Sequence, residues 1–392
     1  MKILYLSHTS DLAGSGKAIL SIINNMIELN HIPIIIIPSQ GVLSQELRDK
    51  NIEYIIQPLE TNTWPKYQNT HKITYTKRLI KKIPKLIVHY FKLNKIIKNT
   101  NPDIIHTNVG IIHLGHHLAK RHRIPHVWHI REYQCKDFGY KFFPSIKIYK
   151  KRLKNINNHP ISITKAIFDY FEMSSNASII YDGVIPESNS PEIIYQKKNY
   201  FLFVGLLSEA KGIQQAIKAF ANISNTIPNI EFWIAGNGKQ SYITYLAEKY
   251  INPDISKKIK FLGFRTDIDK LMSEAIALIV PSKFEGFGFI TVEAMYNGCI
   301  VIGKNTAGTK EQFDIGFQMH GEEIGIRYES LIELQNILFD LGTNGILKYR
   351  DMMNRAQKTV ISMYTIEANG KNINRLYQQI TDDKIVEKKT AN

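Results

Sequence analysis

The strongest constraint on this chain is a set of short apolar runs in which nothing alternates. The clearest is Ile32-Pro33-Ile34-Ile35-Ile36-Ile37-Pro38. A strand with one wet face reads apolar, polar, apolar. A run that is apolar at every position must be covered on both faces, as in a parallel sheet between two helical layers. Strands of this kind are expected at 2–7, 33–38, 54–57, 104–106 and 127–130. A helix is expected at 15–30, where Ile19, Ile22, Ile23, Met26, Ile27 and Leu29 recur at near-helical spacing. The pattern then repeats, with strands at 200–204, 231–235, 259–262, 277–281 and 300–303 and helices at 214–225, 241–250, 267–275 and 289–297. Each series predicts a doubly wound α/β domain. A chain of 392 residues is comfortable for two such domains. The Pro-, Ser-, Asn- and Glu-rich stretch 184–198 has no period and reads as the linker between them. The fold class is therefore α/β, two Rossmann-like domains facing a cleft, with ligands outside the strand C-termini. That organisation alone fits several enzyme classes and some binding proteins.

Composition narrows the choice. Two cysteines, Cys135 and Cys299, cannot build a disulfide framework or a CxxC zinc site, so a reducing compartment is expected. No targeting segment is expected at MKILYLSH, which reads as a first buried strand, and no run approaches the ~20 apolar residues of a spanning helix. The formal charge of +15 is uneven. Residues 61–102 hold no acid but carry Lys66, Lys72, Lys77, Arg78, Lys81, Lys82, Lys85, Lys92, Lys95 and Lys98. A second acid-free run, 138–168, carries Lys141, Lys147, Lys150, Lys151, Arg152 and Lys154. Nucleic acid, an anionic membrane surface, a polyanionic substrate or simple solubility would each account for it. The mixture of lysines with aliphatic and aromatic residues over 77–92 favours anionic lipid, although Pro84 argues against one unbroken amphipathic helix.

The chemistry concentrates between Pro281 and Glu311. Glu285, Gly286, Phe287 and Gly288 lie in a loop after a buried strand, and Glu293 stands on the helix that follows. The glycines let backbone approach a ligand, and the helix start offers unpaired N–H groups to an anion. A carboxylate in the loop can meet a cationic reaction centre, and one on the helix can accept from ribose hydroxyls. Acidic residues at a helix start are also favoured by the macrodipole alone. The other glycine loops, Gly205 to Gly212 with Lys211, Gly236 to Gly238, Gly263-Phe264-Arg265 and Gly308-Thr309, all end strands as well. Lysine and helix termini suit a diphosphate without a metal.

At these residues the chain resembles the glycosyl transferases group 1 family (glycosyltransferase family 4), whose fold is the two-domain GT-B type. Glu285 and Glu293 match its E-x7-E motif, Gly205, Lys211 and Gly212 its G…KG element, Gly236 and Gly238 its G-x-G loop, and Gly308 and Glu311 its final G-x-x-E. Gly14-Ser15-Gly16-Lys17, Asp103 to His106, Trp128 to Glu132 and Ile179 to Val184 agree more loosely. The resemblance implies an N-terminal acceptor-side domain over 1–183, a linker over 184–199 and a sugar-nucleotide domain over 200–365. The last segment, 366–392, is expected as a helix returning to the first domain, then a charged tail. It implies transfer from a nucleotide-diphosphate sugar, with retention, to a lipid-linked or oligosaccharide acceptor in surface polysaccharide assembly. The enzyme would be a hexosyl- or N-acetylhexosaminyltransferase, cytoplasmic or peripheral on the inner membrane face, with no cofactor and no metal. Glu285 would meet the donor sugar, Glu293 the ribose, and Lys211 and the Gly308–Thr309 backbone the leaving diphosphate. His129 would face the transferred sugar, and Gly14, Ser15, Gly16, His106 and Arg131 would line the acceptor side. Backbone near Gly263 and Phe264 would read the base.

Two positions depart from the family. Leu206 replaces a usual arginine, with Arg265 the candidate substitute, and Ala307 replaces a usual glycine, read as a mild change. A silent sugar-nucleotide binder and a GT-B epimerase are the alternatives. Nucleic acid is set aside as a partner. Asp267 and Asp269 read as helix-start acids rather than a metal site. His113, His116, His117, His122 and His126 read as structural or solvent histidines, and the Gly14 segment lacks P-loop spacing.

Overall fold

The computed structural model describes residues 1–12, 14–64, 72–188, 190–227 and 229–390, so Lys66 lies outside the described residues. The chain divides into two compact units, Met1–Gly183 with Ile366–Asn392, and Val184–Thr365.

The first unit holds seven parallel strands: β1 (Lys2–Leu6), β2 (Ile32–Ile37), β3 (Glu53–Ile56), β4 (Ile104–Thr107), β5 (His126–Ile130), β6 (Asn158–Ser162) and β7 (Ser178–Ile179). Their spatial order is β3-β2-β1-β4-β5-β6-β7. Successive side chains go to opposite faces. Ile3, Tyr5, Ile35 and Ile37 pack with Ile19 and Ile23 of helix Gly14–Glu28 and with Ile373 and Tyr377 of the C-terminal helix Ile366–Thr390. Leu4, Leu6, Ile34 and Ile36 pack with Leu93 and Ile97 of helix Lys72–Thr100 and with Leu118 of helix Leu114–His122. Both layers are hydrocarbon, which is why the strands show no alternation. Each fully buried Leu or Ile contributes about 1.5–3 kcal/mol.

Three features differ from the sequence expectation. Helix Lys72–Thr100 continues through Pro84, whose side chain is exposed. Proline forfeits one backbone hydrogen bond there, but Leu93 and Ile97 anchor the helix to the sheet. β6 reads Asn-His-Pro-Ile-Ser and carries no apolar signature because its work is polar. The buried Asn158 accepts at Oδ1 from His126 Nδ1 at 2.8 Å and donates to His116 Nδ1 at 2.9 Å. Residues 184–198 belong to the second unit. The Val184 N–H donates to Tyr364 O at 2.9 Å, Ile185 bridges Thr365, and Ile193 is buried in that unit's core.

The second unit holds β8 (Tyr200–Val204), β9 (Glu231–Ala235), β10 (Ile259–Gly263), β11 (Ala277–Val280), β12 (Ile300–Lys304) and β13 (Ile326–Tyr328), parallel in the order β10-β9-β8-β11-β12-β13. The strand order reverses between β1 and β4 and again between β8 and β11. Beyond the carboxyl ends at such points a sheet opens a crevice for ligands.

His106, His113, His116, His126 and His129 sit in the first unit's core, whereas His117 is exposed and His122 half-buried. His116 stacks on Trp128 at 6.0 Å between ring centroids, and His113 meets it edge-on at 5.2 Å. Burial holds His126 down at about 3 and pushes His106, His113 and His129 well below the ordinary imidazole range. The unfolded chain then binds more protons than the folded one below pH 6.5, so stability falls as pH falls through that value. Between pH 7.5 and 5.5 His126 alone costs about 1.4 kcal/mol, and the other three act in the same direction. Glu132, raised by burial to about 7, opposes them, and Asp137, also raised by burial, acts in the same sense as Glu132. Urea unfolding at the two pH values is expected to show a net loss of about 2–4 kcal/mol at pH 5.5. Equal midpoints would contradict neutral burial of these imidazoles.

Candidate active site

In the second unit the strand-end loops are tied to one another by backbone. The Gly205 N–H donates to Ala235 O at 3.0 Å, Leu207 N–H to Asn237 O at 2.8 Å, and Gly236 N–H to Gly263 O at 2.8 Å. Leu207 also bridges Gly238. Beyond β8 the turn Glu209–Lys211 ends at Gly212, whose φ of 70° and position against Pro281 admit no side chain; a Cβ would lie 2.3 Å from Pro281 O. That contact brings Lys211 beside the loop that follows β11. The Lys211 ammonium donates to both carboxylate oxygens of Glu285 at 2.8 Å, and both side chains are partly exposed.

The Glu285 loop is fixed from the next strand end as well. The Gly308 N–H donates to Glu285 O at 2.9 Å. Gln312, on helix Ala307–His320, donates to Phe287 O at 2.8 Å and Gly288 O at 3.3 Å. Gly288 then opens helix Phe289–Tyr296, on which Glu293 is half-buried. Thr309 is buried with its methyl group toward the sheet at Gly303. Thus Gly205, Lys211, Gly236, Gly238, Gly263, Glu285 to Gly288 and Gly308 are gathered at one edge of the sheet, around the β8–β11 reversal.

Leu206 and Phe264 stand at this edge 60% and 72% exposed, so apolar surface is offered where a ligand ring could lie. Arg265 does not reach toward Leu206's neighbours. Its guanidinium is taken by Asp267, with Nε–Oδ1 at 2.8 Å and Nη2–Oδ2 at 2.6 Å. Sequence reading missed Lys283, which follows β11, and Lys304, which ends β12. Burial lowers the Lys304 ammonium and the nearby Lys283 charge lowers it further. Their signal was positional, since each is a lysine at the end of an apolar strand.

In the first unit the candidate residues take different positions. Gly14, Ser15 and Gly16 form the first turn of helix Gly14–Glu28 rather than a loop, and Ser15 O accepts from Asn108 Nδ2 at 2.9 Å. His106 lies in β4 and His129 in β5, both fully buried. The Arg131 Nε donates to Asn108 O at 3.2 Å and Oδ1 at 3.1 Å, while its Nη1 donates to both oxygens of Asp182. His8, just beyond β1, went unremarked as a site residue in the sequence. It is pushed below the ordinary imidazole range by burial and by the Arg131 charge. Among the described residues no group of three or more His, Cys, Asp or Glu side chains is placed to hold a metal.

Comparison with known proteins agrees with this arrangement. The description "Glycosyl transferases group 1" covers residues 184–324, the stretch that contains the whole gathered edge. That stretch of the chain is similar to the glycosyl transferases group 1 family. Over 315 residues it is 24% identical to an uncharacterised glycosyltransferase of Methanocaldococcus jannaschii, covering 76% of this chain and 85% of that one. It is 28% identical over 289 residues to the Escherichia coli UDP-Gal:alpha-D-GlcNAc-diphosphoundecaprenol alpha-1,3-galactosyltransferase, covering 65% and 71%. The crystal structure of Anabaena HepE in complex with UDP superposes with a TM-score of 0.77 at 19% identity, covering 97% of this chain and all of that one. The fold is GT-B, built from two Rossmann-like domains.

The strand-end loop after β12 has one tolerated and one forbidden Cβ. A Cβ on Gly308 would lie 2.4 Å from Phe287 O, whereas Ala307 already holds a φ of 50°, where a side chain is strained. Ala307 is therefore more than a mild replacement of glycine. Ala307→Gly is expected to raise stability by about 0.5–1 kcal/mol in urea unfolding, and Gly308→Ala to lower it by about 1–3 kcal/mol. A shift of the same sign in both would contradict this backbone.

Proposed function

We propose that the chain is a retaining, metal-independent hexosyl- or N-acetylhexosaminyltransferase that draws on a nucleotide-diphosphate sugar. The observation that carries this reading is the ion pair of Lys211 with both oxygens of Glu285, held beside two helix N-termini. With donor bound, Lys211 turns from Glu285 to the diphosphate, joined by the Gly308–Thr309 backbone N–H groups. Glu285, released from its partner, faces the sugar carbon where positive charge develops as the diphosphate departs. Glu293 accepts from the ribose hydroxyls. A base lies on the apolar surface of Leu206 and Phe264, with backbone near Gly263 reading its edge. The missing arginine at Leu206 is made good by Lys283 and Lys304 rather than by Arg265, which is occupied by Asp267. His129 has no open edge, so it serves the acceptor side through Arg131. UDP in the HepE crystals and in the name of the E. coli relative supports a UDP-sugar donor. That relative's name also supports a lipid-linked acceptor in glycan assembly.

Thermal-shift screening against UDP-, GDP-, ADP- and TDP-sugars, followed by transfer assays, tests the reading. Glu285→Ala is expected to keep donor binding within about threefold and to lose transfer by about 10²-fold or more. A wild type that binds donor but transfers to no glycan or lipid-linked acceptor would favour the silent binder.

The basic helix Lys72–Thr100 suggests where the acceptor is met. Ile80, Ile83, Ile87 and Phe91 are all exposed, and their spacing puts them on one stripe. Lys77, Lys81 and Lys85 follow at helical spacing on the adjoining stripe, with Lys92 beyond. An apolar stripe flanked by lysines suits the cytoplasmic face of an anionic bilayer, with the helix lying in the headgroup region. Among the described residues no helix is long and apolar enough to cross a membrane. Co-sedimentation is expected with phosphatidylglycerol vesicles and not with phosphatidylcholine vesicles, reduced about tenfold by Ile83→Glu with Phe91→Glu. Equal recovery in both supernatants would remove the membrane from the proposal.

A further inference from the structure

A buried polar chain crosses the first unit. Arg131 Nη2 lies 3.2 Å from His129 Nδ1, and His106 Nε2 lies 3.3 Å from the same nitrogen. His106 Nδ1 is bonded to the Tyr377 hydroxyl, and that hydroxyl lies 3.2 Å from the hydroxyl of Tyr5. The members come from β1, β4, β5, the segment after β5 and the C-terminal helix. None of the five exceeds 5% exposure.

The direction of every bond follows from one fact. A guanidinium has donors only, so His129 Nδ1 must accept from Arg131. A neutral His129 therefore carries its proton on Nε2, which faces Asp182 Oδ1 at 3.8 Å. Since that Nδ1 carries no proton, His106 Nε2 must be the donor to it. His106 Nδ1 is then an acceptor, so the Tyr377 hydroxyl donates to it and accepts in turn from Tyr5. Burial supports this order, pushing both imidazoles down and both phenols up, so that all four are neutral.

The surroundings of the two tyrosines are hydrocarbon, including Ile3, Ile35, Ile373 and Ile380. Phenylalanine at either position would fill the same space without a polar group to desolvate. The hydroxyls are thus better explained by what they order than by what they stabilise. What they order is Arg131, whose Nε is held by Asn108, Nη1 by Asp182 and Nη2 by His129. It lies at the strand-end rim, with Asn108 after β4 and within the electrostatic reach of His8 after β1.

We infer that Tyr377 is a positioning residue of the transfer reaction, fixing the His106–His129 tautomers and through them the Arg131 guanidinium on the acceptor side. The inference rests on the proposed acceptor-side role of Arg131. It makes the C-terminal helix a working part of the site.

Tyr377→Phe keeps the ring and removes the donor to His106. We expect kcat to fall about tenfold with the donor KM within twofold and the melting temperature within a few degrees. Tyr5→Phe is expected to cost less, because Tyr377 can still donate. Long-range 1H–15N spectra of imidazole-labelled wild type, assigned with single His→Asn variants, are expected to show Nε2–H tautomers at His106 and His129. In Tyr377→Phe the His106 signals are expected to shift toward a tautomer mixture. An Nδ1–H tautomer at either histidine of the wild type overturns the inference whatever the activity. An active wild type with an unchanged kcat in Tyr377→Phe overturns it while leaving the proposed function standing. An inactive wild type counts against the proposed function itself, and the tautomer spectra still judge the proton order.

Discussion

Glu285 is held at two levels, and the arrangement of the second unit's site depends on this. Its carbonyl accepts the Gly308 N–H, and its carboxylate takes the Lys211 ammonium with two contacts of 2.8 Å. The backbone bond ties the loop after β11 to the helix start after β12. The ion pair ties it to the turn after β8. Three strand ends are thereby fixed around the reversal between β8 and β11. Close approach of backbone makes this arrangement possible, since a Cβ on Gly212 or Gly308 would collide with the neighbouring loop. An ion pair half open to water contributes little to stability. Its value is in keeping the Lys211 ammonium aimed at the loop after β11.

Much of this was legible in the sequence because the determinants are local. Unbroken apolar runs announce strands covered on both sides, and glycines at their ends announce close backbone approach. The spacing of Glu285 and Glu293 places one carboxylate in a loop and the other on the following helix. What escaped notice depends on partners distant in sequence. β6 is invisible as Asn-His-Pro-Ile-Ser until Asn158 is seen between His116 and His126, which lie over 30 residues upstream. Residues 184–198 lack a period because their order is imposed by Tyr364, Thr365 and the core around Ile193. Pro84 was misjudged for the complementary reason. Its local cost is real, but anchoring by Leu93 and Ile97 outweighs it.

The two units present their candidate groups by different means. In the second unit the polar edge is mostly backbone, with few side chains that a sequence can display. This explains why a glycine pattern identifies it, and why Leu206 can replace an arginine without disturbing the loops. In the first unit the polar groups are buried side chains, His106, His129, Arg131, Asp182, Tyr5 and Tyr377. Such groups must be satisfied as a set, since one unmatched member costs about 1–3 kcal/mol. Their sequence signature is correspondingly weak, because six residues spread over some 370 positions share no spacing.

The same set links stability to chemistry. Folding requires His106 and His129 to be neutral, and the orientation of Arg131 requires His129 Nδ1 to be free of a proton. Protonating His129 would place a second cation against the guanidinium and remove its acceptor in one step. Replacing the imidazoles alone would leave Arg131 and Tyr377 without these partners. Beside Arg131 they hold one cation in a single orientation within the first unit's core.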